Sequence, residues 1–374
     1  MQPTRRMIMA SGPAAFLAPS AFAQNRAARS PGVASAGVFT AVTVNGQVVQ
    51  GLLDSGATEH AMDAGLARTL GIRATGRRVN TLGIGGVSRG FYSDLVDLLI
   101  GGRMFARSTV AILDLSDLSN RLGQPVQMLL GRPLFNAMTV EMDFRLRTAR
   151  LWERLRFTEP TDATAVKLSG IMGLMTAPVT LPGGVVYAAV DTGTMPGLVV
   201  SPRGAERLGL LKDESKVSTT LLGGVAGVSE GRITSAASLK LADKTFEDVP
   251  VRISPRPVGP EAVLGLELLS RFHLHLDLGY QRMWMRADGP QLPFQHDLLG
   301  LFGDPTPQGL KVTHVARGSP AEKAGLMAGD LIVRINGRPS VGVDVSIVNA
   351  EPGFPMTFIL ADGARRMASL ARYY

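Results

Sequence analysis

Apolar and polar residues alternate from Val38 to Val49, on either side of Asn45-Gly46. This pattern predicts a β-hairpin, because strand side chains point alternately to the two faces of a sheet and Asn-Gly favours a tight turn. The hairpin leads to the apolar pair Leu52-Leu53 and then directly to Asp54-Ser55-Gly56-Ala57. The sequence therefore predicts a carboxylate on a tight turn at the end of a strand.

A short helix is predicted after this turn. Asp63 is the expected N-cap, residues 64–70 are the body, and Gly71 ends the helix. A second Asp turn, Asp191-Thr192-Gly193-Thr194, is followed by the same three features, at Ser201, at residues 202–208 and at Gly209.

Two further segments repeat in the same order. Gly86-Val87-Ser88-Arg89-Gly90 is matched 141 residues later by Gly227-Val228-Ser229-Glu230-Gly231. Leu129-Leu130-Gly131 is matched 134 residues later by Val263-Leu264-Gly265. Ordered matches with small insertions indicate an internal duplication of about 120 to 130 residues, joined near residues 157–164.

The duplication changes the meaning of the two Asp turns. A single Asp-Ser-Gly triplet is an ordinary turn. Two β-rich copies, however, can pack about a pseudo-twofold axis and bring both carboxylates together. Like charges about 3 Å apart cannot both ionise, so such a pair shares one proton. The ionised carboxylate can then take a proton from water while the protonated one donates to a carbonyl, which hydrolyses an amide without a covalent intermediate.

With these motifs in this order, residues 36 to 288 resemble the aspartic peptidases of the retropepsin-like and pepsin-like superfamily. The resemblance implies a mainly β fold in which two pseudo-twofold-related, retropepsin-like β-barrel lobes, residues 36–156 and 165–288, form a bilobal acid-protease fold. It implies that Asp54 and Asp191 form the catalytic dyad.

The resemblance also assigns supporting residues. Active-loop support is expected from Ser55, Gly56, Thr192 and Gly193. Both halves have a flap-like glycine cluster, with candidate residues Gly83, Ile84, Gly85 and Gly86 in the first and Gly223, Gly224 and Gly227 in the second. Arg132-Pro133 and Met195-Pro196-Gly197 depart from the family pattern, which affects the expected shape of the substrate pocket.

Residues 292–374 lie beyond the duplication. Residues 318–326 predict a short helix capped by Ser319, and residues 330–335 predict a strand that enters an Asn336-Gly337 turn. This order resembles a bacterial PDZ domain, a small α+β fold. The resemblance implies a carboxylate-binding loop at Leu299, Gly300 and Leu301 that binds a peptide or protein C-terminus, while the peptide adds as a strand to the sheet edge. The alternative is a PDZ-like module that only packs on the lobes.

The first 23 residues have the features of an export signal: Arg5-Arg6, an apolar run from residue 7 to 18, and Ala21-Phe22-Ala23 before the cleavage point. Residues 4–9 also resemble a twin-arginine signal, and a general-secretion signal is the alternative. Residues 24–35 are expected to be a mobile lead-in. The predicted location is periplasmic or secreted, in a bacterium.

Composition narrows the class of protein. The content of 45% hydrophobic and 19% charged residues fits a soluble globular chain, and 43 Gly and 23 Pro favour β structure. The absence of Cys excludes disulfides and thiolate metal sites. Basic residues are scattered, so no nucleic-acid partner is predicted. After residue 23 no stretch of about 18 apolar residues occurs, so no stable membrane span is predicted.

Two histidines are candidate metal ligands. His273 and His275 alternate on a predicted strand and share a face, but a zinc site needs a third ligand and the sequence places none. No metal or cofactor is therefore predicted. The resemblance makes Asp143 and Asp277, at equivalent ends of the two repeats, structural residues.

The sequence thus predicts an exported, single-chain aspartic endopeptidase that hydrolyses polypeptide substrates. Its PDZ module is expected to bind protein tails or to regulate access. Because both halves of the dyad lie in one chain, dimerisation is not required. The competing interpretation is a non-catalytic exported peptide-binding or scaffold protein.

Overall fold

The structure is a computed structural model that describes residues 37–83, 86–224, 227–343 and 351–374. The predicted signal, the predicted lead-in and the flap candidates Ile84 and Gly85 lie outside the described residues. The described chain is mainly β, with two related halves of curled sheets followed by a smaller α+β domain. The expected fold class is confirmed.

The first half contains the following strands and helices: β1 (Phe39–Val44), β2 (Gln47–Leu53), β3 (Ala61–Asp63), α1 (Ala64–Thr69), β4 (Ala74–Gly83), β5 (Gly86–Ser93), β6 (Val96–Ile100), β7 (Arg103–Ser108), β8 (Ala111–Leu113), α2 (Ser116–Leu122), β9 (Met128–Leu130), α3 (Arg132–Ala137), β10 (Thr139–Asp143) and β11 (Thr148–Trp152). A short 3-10 helix, Arg154–Arg156, follows.

The first half is organised around a parallel strand pair. β1 and β2 form the predicted hairpin, with positive φ at Asn45 (46°) and Gly46 (88°). The main sheet has the order β4-β5-β8-β3-β9-β2-β1-β6-β7 among the described strands. At its centre β2 runs parallel to β9, with Leu53 beside Leu130. This pairing brings the turn after β2 next to Gly131.

The second half repeats this plan. It contains β12 (Thr164–Lys167), β13 (Ser169–Ile171), β14 (Leu174–Leu181), β15 (Gly184–Val190), β16 (Leu198–Val200), α4 (Pro202–Arg207), the 3-10 helix Glu214–Lys216, β17 (Ser218–Gly224), β18 (Gly227–Leu241), β19 (Lys244–Ile253), β20 (Ala262–Leu264), α5 (Leu266–Leu269), β21 (Phe272–Asp277) and β22 (Arg282–Ala287). β15 runs parallel to β20, as β2 does to β9.

The predicted helix caps are present in both halves. Asp63 accepts hydrogen bonds from the N–H groups of Gly65 and Leu66 at the start of α1. Ser201 accepts from Gly204 N–H at the start of α4. Each helix therefore begins where a short polar side chain satisfies the free N–H groups of the first turn.

A second sheet joins the two halves. Its order is β11-β10-β21-β22-β12, and β10 of the first half pairs antiparallel with β21 of the second. Asp277 in β21 is fully buried, forms two hydrogen bonds of 2.8 and 2.7 Å with Arg154, and accepts a third from Thr139. Because Arg154 and Thr139 belong to the first half, this buried ion pair holds the halves together.

The C-terminal domain contains β23 (Leu301–Thr306), β24 (Gly309–Val315), α6 (Pro320–Lys323), β25 (Leu331–Ile335), β26 (Arg338–Pro339), β27 (Pro355–Leu360) and β28 (Arg365–Ser369). Its described strands run in the order β23-β24-β25-β27-β28, with β26 on β25, so β23 is at an edge. The segment that precedes it packs on the second half, since the Phe294 ring lies 5.9 Å from that of Phe246. The domain has its own core, which includes Leu310, Ile332 and Phe358.

Among the described residues, the helices are too short or too polar to cross a membrane.

Candidate active site

The first Asp turn is positioned by the parallel pair β2 and β9. Asp54 N–H donates to Leu130 O (3.1 Å). The hydrogen bonding between β2 and β9 therefore continues for one residue beyond the end of β2. The Asp54 Oδ1 atom then accepts from the N–H groups of Gly56 (3.1 Å) and Ala57 (3.0 Å). The turn closes on its own carboxylate, so the side chain is held in one orientation.

The second Asp turn is built in the same way. Asp191 N–H donates to Leu264 O (2.9 Å), and Asp191 Oδ1 accepts from Gly193 N–H (2.8 Å). One contact has no equivalent in the first turn: the Thr194 hydroxyl donates to Asp191 Oδ2 (2.8 Å). Ala57 occupies the corresponding position beside Asp54 and has no hydroxyl.

The fold brings the two carboxylates together. A Cβ atom added at Gly56 would lie 2.4 Å from Asp191 Cγ, and one added at Gly193 would lie 2.5 Å from Asp54 Cγ. Each glycine of one turn therefore lies against the carboxylate of the other turn. Any side chain at either glycine would occupy the space of the opposing Asp.

The residues between these positions link the turns. The Ser55 hydroxyl donates to Val190 O (2.8 Å) and the Thr192 hydroxyl donates to Leu53 O (2.8 Å). Each hydroxyl also accepts the N–H of the other residue, at 3.0 Å for Ser55 N–H and 3.1 Å for Thr192 N–H. Both side chains are buried, so these four reciprocal bonds fix one turn relative to the other.

The local environment disfavours two negative charges. Burial raises the pKa of Asp54 from its ordinary 3.8 to about 8, and the neighbouring charge of Asp191 acts in the same direction. Burial also raises the pKa of Asp191, but the Thr194 hydroxyl and Gly193 N–H oppose the effect by stabilising its anion. The Thr194 hydroxyl thus favours the anion at Asp191, whereas burial and the Asp191 charge favour the protonated form of Asp54.

The hydrophobic-hydrophobic-Gly segments pass directly beside these turns. A Cβ at Gly131 would lie 2.6 Å from Ala57 O, and one at Gly265 would lie 2.5 Å from Thr194 O. His60 was not identified from the sequence: its Nδ1 atom accepts from Gly131 N–H (3.1 Å), and burial lowers its pKa to about 4. A neutral His60 is therefore part of the support of the first turn.

Both glycine clusters lie at hairpin tips. In the first half β4 pairs with β5 up to Gly83 opposite Gly86, and in the second half β17 pairs with β18 up to Gly224 opposite Gly227. The tip of the second hairpin contacts the first half, since the Arg121 guanidinium of α2 donates a hydrogen bond to Gly224 O. Sequence reasoning missed Arg121, because nothing near it in the chain indicates this contact.

The loop before β23 has an internal carboxylate. Leu299 N–H and Gly300 N–H both donate to Asp297 Oδ1 at 2.9 Å. Asp297 Oδ2 in turn accepts from the Tyr373 hydroxyl (2.8 Å). Two N–H groups of the predicted carboxylate-binding loop are thus already bonded to a side chain of the same domain. Leu301 begins β23 and is buried.

The C-terminal domain docks on the second hairpin. His314 Nε2 lies 3.0 Å from the Thr219 hydroxyl of β17, and its Nδ1 lies 3.4 Å from Glu230 of β18. The Ser218 hydroxyl donates to Arg317 O at 2.5 Å. The domain therefore contacts both strands of the hairpin whose tip carries Gly224. No local sequence pattern indicated this docking.

Comparison with known proteins agrees with this geometry. A family model described as aspartyl protease matches residues 40–134 and 177–268, half of the chain. The chain belongs to the aspartyl protease family. The two matched regions of this aspartyl protease-family chain each contain one Asp turn and one hydrophobic-hydrophobic-Gly segment. A PDZ domain model matches residues 311–345.

Two curated relatives carry a different name. The chain is 30% identical over 138 residues to "Serine protease Do-like HtrA" and 30% identical over 143 residues to "Serine protease Do-like HtrB", both of Bacillus subtilis (strain 168). The alignments cover 36% and 37% of this aspartyl protease-family chain, and only 29% and 30% of the relatives. The chain is therefore protease-like with a PDZ domain, and the two comparisons name different catalytic types.

The sequence contains two matches to a serine-nucleophile pattern. Residues 86–90 and 227–231 each have the order Gly-x-Ser-x-Gly, but both lie inside strands rather than on the strand-to-helix turn that exposes a nucleophile. All five histidines are within the described residues, and none of them is hydrogen-bonded to a serine hydroxyl there. Within the described residues, neither serine therefore has a histidine hydrogen-bonded to its hydroxyl.

Proposed function

We propose that the protein is an aspartic endopeptidase in which Asp54 and Asp191 activate one water molecule. The observation that carries the proposal is the reciprocal packing of Gly56 on Asp191 and of Gly193 on Asp54. Two separate β-rich halves have no structural need to converge on a pair of half-buried carboxylates that disfavour each other. Such pairs occur where a shared proton is used for chemistry.

The hydrogen bonds of the two turns assign the roles. Asp191, stabilised as an anion by Thr194, accepts a proton from the water as its oxygen attacks the peptide carbonyl carbon. Asp54 donates its proton to the carbonyl oxygen, which gives a neutral tetrahedral diol. The proton on Asp191 then moves to the amide nitrogen, the C–N bond breaks, and a diol proton returns to Asp54. The Ser55 and Thr192 hydroxyls do not react. They hold the two turns in position relative to each other.

The PDZ domain is proposed to bind protein tails and to influence access to the cleft. Two features support this role. β23 is at the edge of the described sheet, where a peptide can add as a strand, and Phe302 of β23 pairs with His314 of β24. His314 also contacts Thr219 at the base of the second hairpin. A peptide on β23 would thus lie one strand away from the hairpin contact.

The deciding assay digests an unfolded polypeptide across a pH range with the wild type, Asp54→Asn and Asp191→Asn. Each substitution should reduce kcat/KM by about 10²- to 10⁴-fold, the contribution typical of general acid–base catalysis. Asp94→Asn is the matched control, since Asp94 is exposed and lies outside the two turns. Undiminished cleavage by either dyad variant would refute the shared-dyad mechanism.

Two other functions have distinct outcomes in the same experiment. A serine protease, the type named for the Bacillus relatives, would be labelled by a fluorophosphonate and would keep its activity in both Asp variants. A non-catalytic peptide-binding protein would cleave nothing at any pH. The hydrogen bonds of the described histidines and the convergence of the carboxylates favour the aspartic mechanism over both.

The site of action and the domain limits are part of the proposal. We propose that residues 1–23 direct export to the periplasm or the medium and that residues 24–35 link the signal to the first lobe. The lobes comprise residues 36–156 and 165–288, and the PDZ domain comprises residues 292–374. N-terminal sequencing of the exported protein tests the signal, with Gln24 as the expected first residue.

A further inference from the structure

The sheet that joins the halves carries a cluster of potential metal ligands. The three residues are Glu141 on β10 and His273 and His275 on β21. One ligand atom from each lies within 4.8 Å of the others. Asp54 and Asp191 lie on the turns after β2 and β15 and are not part of this cluster, so it is independent of the proposed dyad.

Strand register explains the convergence. In the pairing of β10 with β21, Glu141 is directly opposite His275. His273 lies two residues before His275 on β21 and therefore on the same face of the sheet. Glu141 and His275 are also equivalent positions of the duplication, 134 residues apart. They therefore face each other at the point where the two repeats meet. Two of the potential ligands lie on one strand, and the pairing of β10 with β21 adds the third.

The distances suit a compact tetrahedral ion. His273 Nε2 lies 3.1 Å from Glu141 Oε1, and His275 Nε2 lies 3.9 Å from Glu141 Oε2. Ligands on a tetrahedral zinc ion are about 3.4 Å apart, given Zn–N and Zn–O bonds of about 2.0–2.2 Å. Because one ligand atom of each residue already lies within 4.8 Å of the other two, side-chain rotations would place three ligand atoms around one ion. The three side chains are 13–18% exposed, which leaves the ion a path from solvent.

The surroundings resemble the outer shell of a metal site. The Trp152 indole N–H donates to Glu141 Oε2 (2.7 Å) and orients the carboxylate. The second nitrogen of His273, Nδ1, lies 3.7 Å from Asp143 Oδ2. In metal sites the non-ligating ring N–H is commonly hydrogen-bonded to a carboxylate. At 3.7 Å the two atoms are not hydrogen-bonded, and a rotation of the Asp143 side chain would be needed to form that bond. Arg150 lies 3.9 Å from Glu141 Oε2 but is largely exposed and can turn away.

We propose that Glu141, His273 and His275 bind one zinc ion that links the two halves, with water in the fourth position. Two imidazoles and one carboxylate form a donor set that zinc accepts. Because β10 and β21 come from different halves, the ion would stabilise the joined state rather than either half alone. Bound metal should raise the melting temperature by mass action, since the unfolded chain lacks the preformed site.

The test uses the full-length protein after removal of metal with a chelator. Titration with zinc chloride in a calorimeter should show one equivalent of binding. Glu141→Gln, which can still accept from Trp152, and His275→Gln should each weaken the affinity by at least about tenfold. His296→Gln, at a histidine that contacts Asp248 instead, is the matched control and should bind like the wild type.

A second measurement does not depend on the folding of variants. Cobalt(II) added to the wild type should produce the visible absorption of a four-coordinate site, and zinc should shift the ring ¹⁵N signals of two histidines only. The proposal is overturned if the stripped wild type binds no stoichiometric zinc, or if folded Glu141→Gln and His275→Gln both bind with wild-type affinity. Either result leaves the peptidase assay unaffected.

Discussion

Ser55 and Thr192 each accept the other's backbone N–H through the side-chain hydroxyl, although 137 residues separate them. Each hydroxyl also donates to the strand that leads to the opposite Asp. Two small side chains outside the carboxylate pair therefore fix the position of one Asp turn relative to the other.

Replacement of Thr192 by Val should test this brace. Val has the same shape but leaves Ser55 N–H and Leu53 O without partners, so we expect a loss of about 1–3 kcal/mol in the free energy of unfolding. The fall in kcat should exceed the rise in KM, because the brace positions the carboxylates. Urea denaturation and steady-state kinetics measure the two effects. Thr192→Ser keeps the hydroxyl and is the control; equal losses in both variants would contradict a role for the hydroxyl.

The raised pKa of Asp54 predicts that stability depends on pH. The unfolded chain releases this proton near its ordinary pKa of 3.8, whereas the folded chain retains it up to about 8. The folded state therefore binds more protons in this window, and its stability falls as the pH rises through it. Asp54→Asn removes this contribution. The stability of the variant relative to the wild type should increase steadily from about pH 4 to about pH 8 in urea unfolding curves. A constant difference would show that Asp54 is ionised in the folded protein.

Thr194 is expected to set the acidic limit of activity. Its hydroxyl stabilises ionised Asp191, so Thr194→Ala should raise the pKa of Asp191. The acidic limb of the profile of kcat/KM against pH should then move to higher pH, since the water needs an ionised base. Thr194→Ser restores the hydroxyl and should restore the profile. An unmoved acidic limb in the Ala variant would assign the base to another group.

Asp297 is expected to compete with peptide carboxylates at the PDZ loop. Its Oδ1 atom occupies the N–H groups of Leu299 and Gly300. Asp297→Ala should free both donors and remove a like charge, so a peptide with a free C-terminus should bind roughly tenfold more tightly, a little over 1 kcal/mol. Fluorescence anisotropy measures the affinity. A peptide with an amidated C-terminus should gain no affinity. An equal gain in affinity for both peptides would show that the peptide carboxylate does not bind at this loop.

Much of this architecture could be predicted because its determinants are local and occur twice. Asn45-Gly46, Asp63 and Ser201 specify turns and helix starts by their own backbone chemistry. The repeat then relates the Asp54 turn to the Asp191 turn. The convergence of the two carboxylates follows from that symmetry, without knowledge of any individual long-range contact.

The contacts that escaped prediction depend on pairings between distant segments. Glu141 becomes a neighbour of His275 only through the register of β10 with β21. The equal spacing of the repeats contained this information, but an isolated glutamate in an apolar strand does not indicate a metal ligand. Arg121 and His314 reach the second hairpin from elements whose docking no local pattern specifies. Asp297 was missed because its role requires the loop conformation itself.

The pairing of β10 with β21 has a consequence for synthesis of the chain. When the ribosome has completed β10, its partner is still more than a hundred residues away. At about 5–20 residues per second, the edge of β10 stays open for several seconds or longer. An open strand edge can pair with the wrong chain during that interval. Until β21 is synthesised, the nascent chain therefore has an edge without the strand that covers it in the folded protein.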